Sequence, residues 1–147
     1  AQADADFNGY EFEVGRSFST NNGELQISYG REEVVGTFSS GGNVPRITPI
    51  KNVYRFALEQ RDVTYDIKIM DVQKEDDIGF GESVTDGYTM VDFDIRRSIA
   101  IGSDEELVLS VFGRNLMDEK ARNHTSYVKN EVPLAGRNFG IKLNFNF

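Results

Sequence analysis

Apolar and polar residues alternate along most of this chain. The C-terminal stretch shows it best: Phe139, Ile141, Leu143, Phe145 and Phe147 interleave with Asn138, Gly140, Lys142, Asn144 and Asn146. A period of two, with aromatic and branched residues on one side only, marks a strand with one apolar and one polar face. Six upstream stretches repeat it. Tyr10, Phe12 and Val14 alternate with Glu11, Glu13 and Gly15, and Leu25, Ile27 and Tyr29 with Gln26 and Ser28. Further on come Tyr54–Leu58, Val63–Ile69, Val91–Ile95 and Leu107–Val111. The pattern predicts seven strands of about ten residues and no helix. The fold class is all-β.

The links between these stretches alternate in length. Short ones run through Ser19–Gly23, Gln60–Asp62 and Gly102–Asp104, and the Asn22-Gly23 pair predicts φ > 0 conformations in the first. Long ones, rich in Gly, Ser, Asn and Asp, run over Val35–Pro49, Lys74–Gly87 and Asp118–Gly136. Short turns at one end and long loops at the other describe an antiparallel up-and-down barrel of the outer-membrane type. A Greek-key sandwich mixes its link lengths across both ends. Nothing marks a domain boundary, so residues 1–147 read as one unit.

Composition narrows the function. The 147 residues carry 16 Lys+Arg against 24 Asp+Glu, a net charge of -8. That excludes the clustered positive charge a nucleic-acid partner requires. With no cysteine and the single histidine His124, disulfide scaffolds, zinc ribbons and self-contained His-rich metal sites are excluded. No apolar run is long enough for a membrane helix. Barrel strands leave no such trace, because they alternate.

Alternation alone does not say which face is covered. A soluble sandwich turns its apolar face into a core, whereas a membrane barrel turns it out to lipid. The interleaved face carries Glu11, Glu13, Asp66, Lys68, Asp92, Asp94, Arg96 and Arg114, which suits a wet lumen. Arg16 and Arg97 fall on the apolar face near the short-turn end, where long stems reach headgroups. The alternatives are a small stand-alone outer-membrane barrel with an adhesive or structural role, and a soluble β-sandwich binding module.

Five motifs, in order, carry a resemblance. They are Val44-Pro45-Arg46-Ile47-Thr48-Pro49, then Asp86-Gly87-Tyr88-Thr89-Met90-Val91-Asp92, then Asn115-Leu116-Met117-Asp118, then Pro133-Leu134-Ala135-Gly136-Arg137-Asn138-Phe139, and the terminal Phe147. Together they resemble the C-terminal barrel portion of TonB-dependent outer-membrane receptors. Ala121-Arg122-Asn123-His124-Thr125-Ser126-Tyr127 with Val132–Arg137 is similar to the subgroup that includes zinc-uptake receptors. Receptors for siderophore-iron and haem are the neighbouring case. Arg97 departs from the pattern by standing where the family has an aromatic girdle residue.

The resemblance implies a 22-stranded barrel of which these strands are about the last third, with no plug domain in residues 1–147. It also implies import of a scarce metal ion or chelate, zinc first, and no intrinsic cofactor. Loops and plug would capture the cargo, and TonB, reached through the N-terminal part, would move the plug. The remaining partners are outer-membrane lipid, lipopolysaccharide and the outer-membrane insertion machinery. Phe139, Ile141, Leu143, Phe145 and Phe147 form the assembly signal that machinery reads. An odd number of strands predicts that the first, Phe7–Phe18, does not pair with the last, Arg137–Phe147.

Three residue groups are candidates for chemistry. His124 is the candidate zinc ligand, against the plainer reading of a locally hydrogen-bonded loop histidine. Asp76, Asp77, Glu82 and Asp86, with Asp71 and Glu75, lie around the middle long link, where they attract cations or simply face water. Asp92, Asp94, Arg96 and Arg114 pair across the ladder or contact a plug. The hydroxyls beside His124 lack the second histidine, the G-x-S-x-G elbow and the acid–base pair of an acyl-transfer site, so the chain does not read as an enzyme.

Overall fold

In the computed structural model, which describes residues 3–102 and 105–147, the chain is all-β. The strands are β1 (Ala5–Thr20), β2 (Gly23–Phe38), β3 (Lys51–Gln60), β4 (Val63–Val72), β5 (Tyr88–Ala100), β6 (Glu106–Arg114) and β7 (Asn138–Asn146). They form one antiparallel sheet in sequential order. This is the up-and-down architecture expected from the alternating links. β1 and β2 have 16 residues each and exceed the expected ten, so their hairpin rises beyond its neighbours. The first long link is correspondingly shorter than predicted. The loops are 39–50 (L1), 73–87 (L2) and 115–137 (L3), and all three lie at one end of the sheet.

Register fixes the faces. Tyr29, Tyr54, Ile69 and Val91 share one row, and Ile27, Phe56, Ile67 and Phe93 share the next. Leu58, Tyr65, Ile95, Val111 and Ile141 form a third. These rows make a continuous apolar band on one face. The hollow of the sheet lies on the other, lined by Glu13, Ser28, Glu32, Lys51, Arg55 and Lys68. A concave polar face and a convex apolar one are the two sides of a barrel wall.

No second layer covers the band. Among the described residues only Pro49, Val72 and Ala121 are buried apolar side chains, while Phe139 is 65% and Ile141 71% exposed. A sandwich would bury these residues against a second sheet, so that alternative does not fit. Nor does a small closed barrel. The sheet is open, and among the described residues β1 and β7 make no contact. The expectation that first and last strands stay unpaired holds.

The short turns differ from expectation in detail. Thr20 pairs with Gly23 around Asn21-Asn22, and none of these residues takes a positive φ. Gly23 is needed for another reason: a Cβ there would sit 1.9 Å from the carbonyl oxygen of Glu59 on β3. The left-handed residue is Arg61 (φ 49°), in the second short turn. In the third, Ile101 N–H donates to Glu105 O at 3.0 Å, and Ser103 and Asp104 lie outside the described residues.

The two arginines near the short-turn end of the apolar face both have partners. Arg97 Nε donates to Asp62 Oδ2 of the second turn at 3.1 Å, which neutralises it at the edge of the band. Arg16 lies two rows further in, beside Ile27, with its guanidinium 5.1 Å from the Phe18 ring centre.

Candidate functional site

The buried polar side chains gather where the three loops meet. Thr85 of L2 and His124 and Lys129 of L3 are each under a tenth exposed. The Lys129 ammonium has three protons and finds three acceptors. It donates to Thr85 Oγ1 (2.8 Å), to His124 Nδ1 (3.2 Å) and to the carbonyl of Ser83. Thr85 Oγ1 lies 2.9 Å from the same Nδ1. With Nδ1 accepting, the neutral ring carries its proton on Nε2, which faces Glu82 Oε1 at 3.6 Å.

Glu82 reaches further. Its carboxylate accepts the backbone N–H of Arg46 (2.8 Å) and of Gly79 (3.0 Å), tying L2 to L1. Arg46 holds a left-handed backbone (φ 66°) and lays its guanidinium over the Tyr127 ring of L3. The Arg122 guanidinium donates to the Lys129 carbonyl, bracing L3 from within. Burial and the facing Lys129 ammonium push the His124 pKa below its ordinary value.

This geometry bears on both readings of His124. A neutral imidazole has one lone pair to give a metal, and here Lys129 and Thr85 take it. Among the described residues no group of three or more His, Asp or Glu is arranged to hold a metal ion. The Thr85–His124 pair is not a nucleophile and its base either, since the ammonium occupies the basic nitrogen.

The loop acids do not form one site. Asp76 pairs with Lys74 at 2.7 Å, and that contact holds its carboxyl below the ordinary range. Glu82 is the joint just described. Asp77 takes its backbone N–H to the Glu75 carboxylate, whose pKa burial raises. Asp86 is exposed, and Asp71 lies on β4, where it accepts from Thr89 at 3.1 Å.

A second constellation lies at the base of L3, and it joins three of the five motifs. Asp92 Oδ1 accepts the N–H of Asn115 at 2.9 Å. The buried Asn115 side chain donates to Glu119 O (2.9 Å) and Ala135 O (3.1 Å) and accepts Glu119 N–H (2.8 Å). Asp118 Oδ1 accepts Arg137 N–H at 2.9 Å. Asn115 and Asp118 both adopt positive φ. Of the remaining polar-face charges, Arg114 grips Asp94 with two bonds (2.8 and 2.9 Å), and Arg55 pairs with Asp66 at 2.6 Å. Cross-ladder pairing is therefore what Asp94 and Arg114 do.

Sequence reasoning did not single out Thr85, Ser83, Lys129 or Arg46. It also missed a polar row on the apolar face, where Arg31, Asn52, Asp71 and Thr89 lie side by side at the loop end of the band. Arg31 bonds to Tyr10 Oη (2.8 Å), Glu33 (2.7 Å) and Asn52 (3.3 Å). Charge at consecutive same-face positions, Arg31 and Glu33, was the available signal.

No family model and no curated sequence matches the chain. Among solved structures it is similar to the copper transporter OprC, with a TM-score of 0.78 and 21% identity. The match covers 99% of this chain and 24% of that one, so the chain spans about a quarter of its neighbour's length. At that identity the likeness is one of fold: the open seven-stranded sheet has the shape of a section of a larger structure.

Proposed function

We propose that this chain forms part of the wall of an outer-membrane receptor of the TonB-dependent kind, which imports a scarce metal ion or metal chelate. The observation that carries the reading is the exposed apolar band on the convex face, with almost no apolar side chain buried. Water does not tolerate such a face at this extent, and hydrocarbon does. The five ordered motifs and the shape shared with a copper transporter support the receptor class.

Zinc is the leading cargo, with siderophore-iron and haem next. Capture belongs to the loops together with a plug, and transport to plug movement driven through TonB, neither supplied by these seven strands. Lipid and lipopolysaccharide surround the band, and the insertion machinery reads β7. The test uses cells with and without the full-length protein. The protein should fractionate with the outer membrane, and its loss should lower uptake of one among zinc, copper, siderophore-iron and haem under scarcity. Recovery in the soluble fraction would refute the membrane reading; unchanged uptake of all four would refute the transport reading alone.

A further inference from the structure

The loop cluster has a property that transport does not require. L2 and L3 meet through Lys129, His124, Thr85 and Ser83, and L2 meets L1 through Glu82 and Arg46. Little apolar burial backs these contacts, since Ala121 and Pro49 are the buried apolar residues in the described loops. The joint therefore depends on hydrogen-bond matching: one imidazole lone pair at its centre, the Lys129 bonds to Ser83 and Thr85 beside it, and an exposed Asn130–Ser83 contact at 3.3 Å.

We propose that Lys129, His124 and Glu82 form a latch that holds L3 against L2 only while the His124 ring is neutral, so that mild acid releases it. The charged groups facing the ring are Lys129 of L3, Glu82 of L2 and Arg46 of L1. Two are cations. Protonating Nδ1 turns an acceptor into a donor aimed at an ammonium 3.2 Å away, and the Thr85 hydroxyl accepts that proton only by turning its own away. Glu82 offers limited compensation. It stands 3.6 Å from Nε2, and each of its oxygens already accepts a backbone N–H.

The sign follows from linkage. A histidine whose pKa is depressed in the closed form stabilises that form fully above the ordinary value of about 6.5 and loses the contribution as pH falls below it. The base of L3 is pinned separately by Asn115 and by Asp118 with the Arg137 N–H. Release is therefore confined to the middle of L3, which swings from a fixed root.

These residues hold no cysteine, so spin labels at Val84→Cys and Val132→Cys report the L2–L3 separation in the full-length protein once any cysteine outside them is replaced by serine. At about pH 7.5 the labels should show one narrow distance, and at about pH 5 a longer and broader one. His124→Gln keeps an acceptor for Lys129 and a donor for Glu82 without titrating, so it should stay closed at both. Lys129→Gln removes the cation opposing protonation and should shrink the change. The proposal fails if the wild type does not respond, if either variant responds in full, or if His124→Gln is open at both values.

Discussion

The Asp92 carboxylate on β5 accepts the backbone N–H of Asn115, the first residue beyond β6, at 2.9 Å. Through Asn115 the contact continues to Ala135 and Glu119, and through Asp118 to Arg137. Stretches 19 to 23 residues apart thus share one job, fixing where β6 stops and β7 starts. Asn115→Ala should cost about 2–4 kcal/mol, because it removes three part-buried hydrogen bonds to the Glu119 and Ala135 backbone. Asp92→Asn, which keeps an acceptor oxygen, should cost less. Denaturant unfolding of the folded protein in detergent compares the two.

The faces of β7 are tested by one adjacent pair. Leu143 lies in the row of Leu109 on the apolar face, and Asn144 points to the opposite side. Leu143→Arg should destabilise by about 1–3 kcal/mol, the cost of a charge on the lipid-facing row of Leu109 and Arg97, between midplane and edge, and Asn144→Arg far less. Equal costs would remove the assignment of faces and the barrel with it.

Two glycines on β2 should respond differently to alanine. A Cβ at Gly23 would meet backbone, the Glu59 carbonyl oxygen at 1.9 Å, and neither strand can move without losing register. At Gly30 the nearest atom is 3.5 Å away, an ordinary contact. Gly23→Ala should cost about 1–3 kcal/mol, as overpacking does. Gly30→Ala should be neutral or slightly stabilising, since alanine restricts the unfolded chain. Thermal unfolding of both variants decides it.

Phe147 should matter for assembly more than for stability. It is 95% exposed and lies beyond the end of β7, stacking only on Phe145 at 5.8 Å. Deleting it should lower the yield of folded protein in membranes several-fold, yet leave the denaturation midpoint of already folded protein nearly unchanged. A matching drop in both would mean the residue is simply part of the wall.

Strand number, strand order and the two faces were legible from the chain, because a strand's period of two writes its environment into neighbouring residues. Phe139–Phe147 and Tyr54–Leu58 needed no partner to declare their apolar side. The alternating link lengths likewise announced sequential pairing, with every short turn at one end of the sheet and every long loop at the other. The functions of Asn115, Asp92 and Arg137 were visible only as recurring motifs. Their shared clamp joins side chains and backbone groups from β5 and the two ends of L3, and no local pattern encodes that. Gly23 looked like a turn residue, but the carbonyl it makes room for belongs to the next strand. His124 shows the limit most sharply. The sequence by itself determined that the loops hold one imidazole, whereas tertiary structure decided its partners: a threonine 39 positions back and a lysine five positions on. Loop contacts carry no periodicity, so their pairing is set by where the sheet delivers the loop ends.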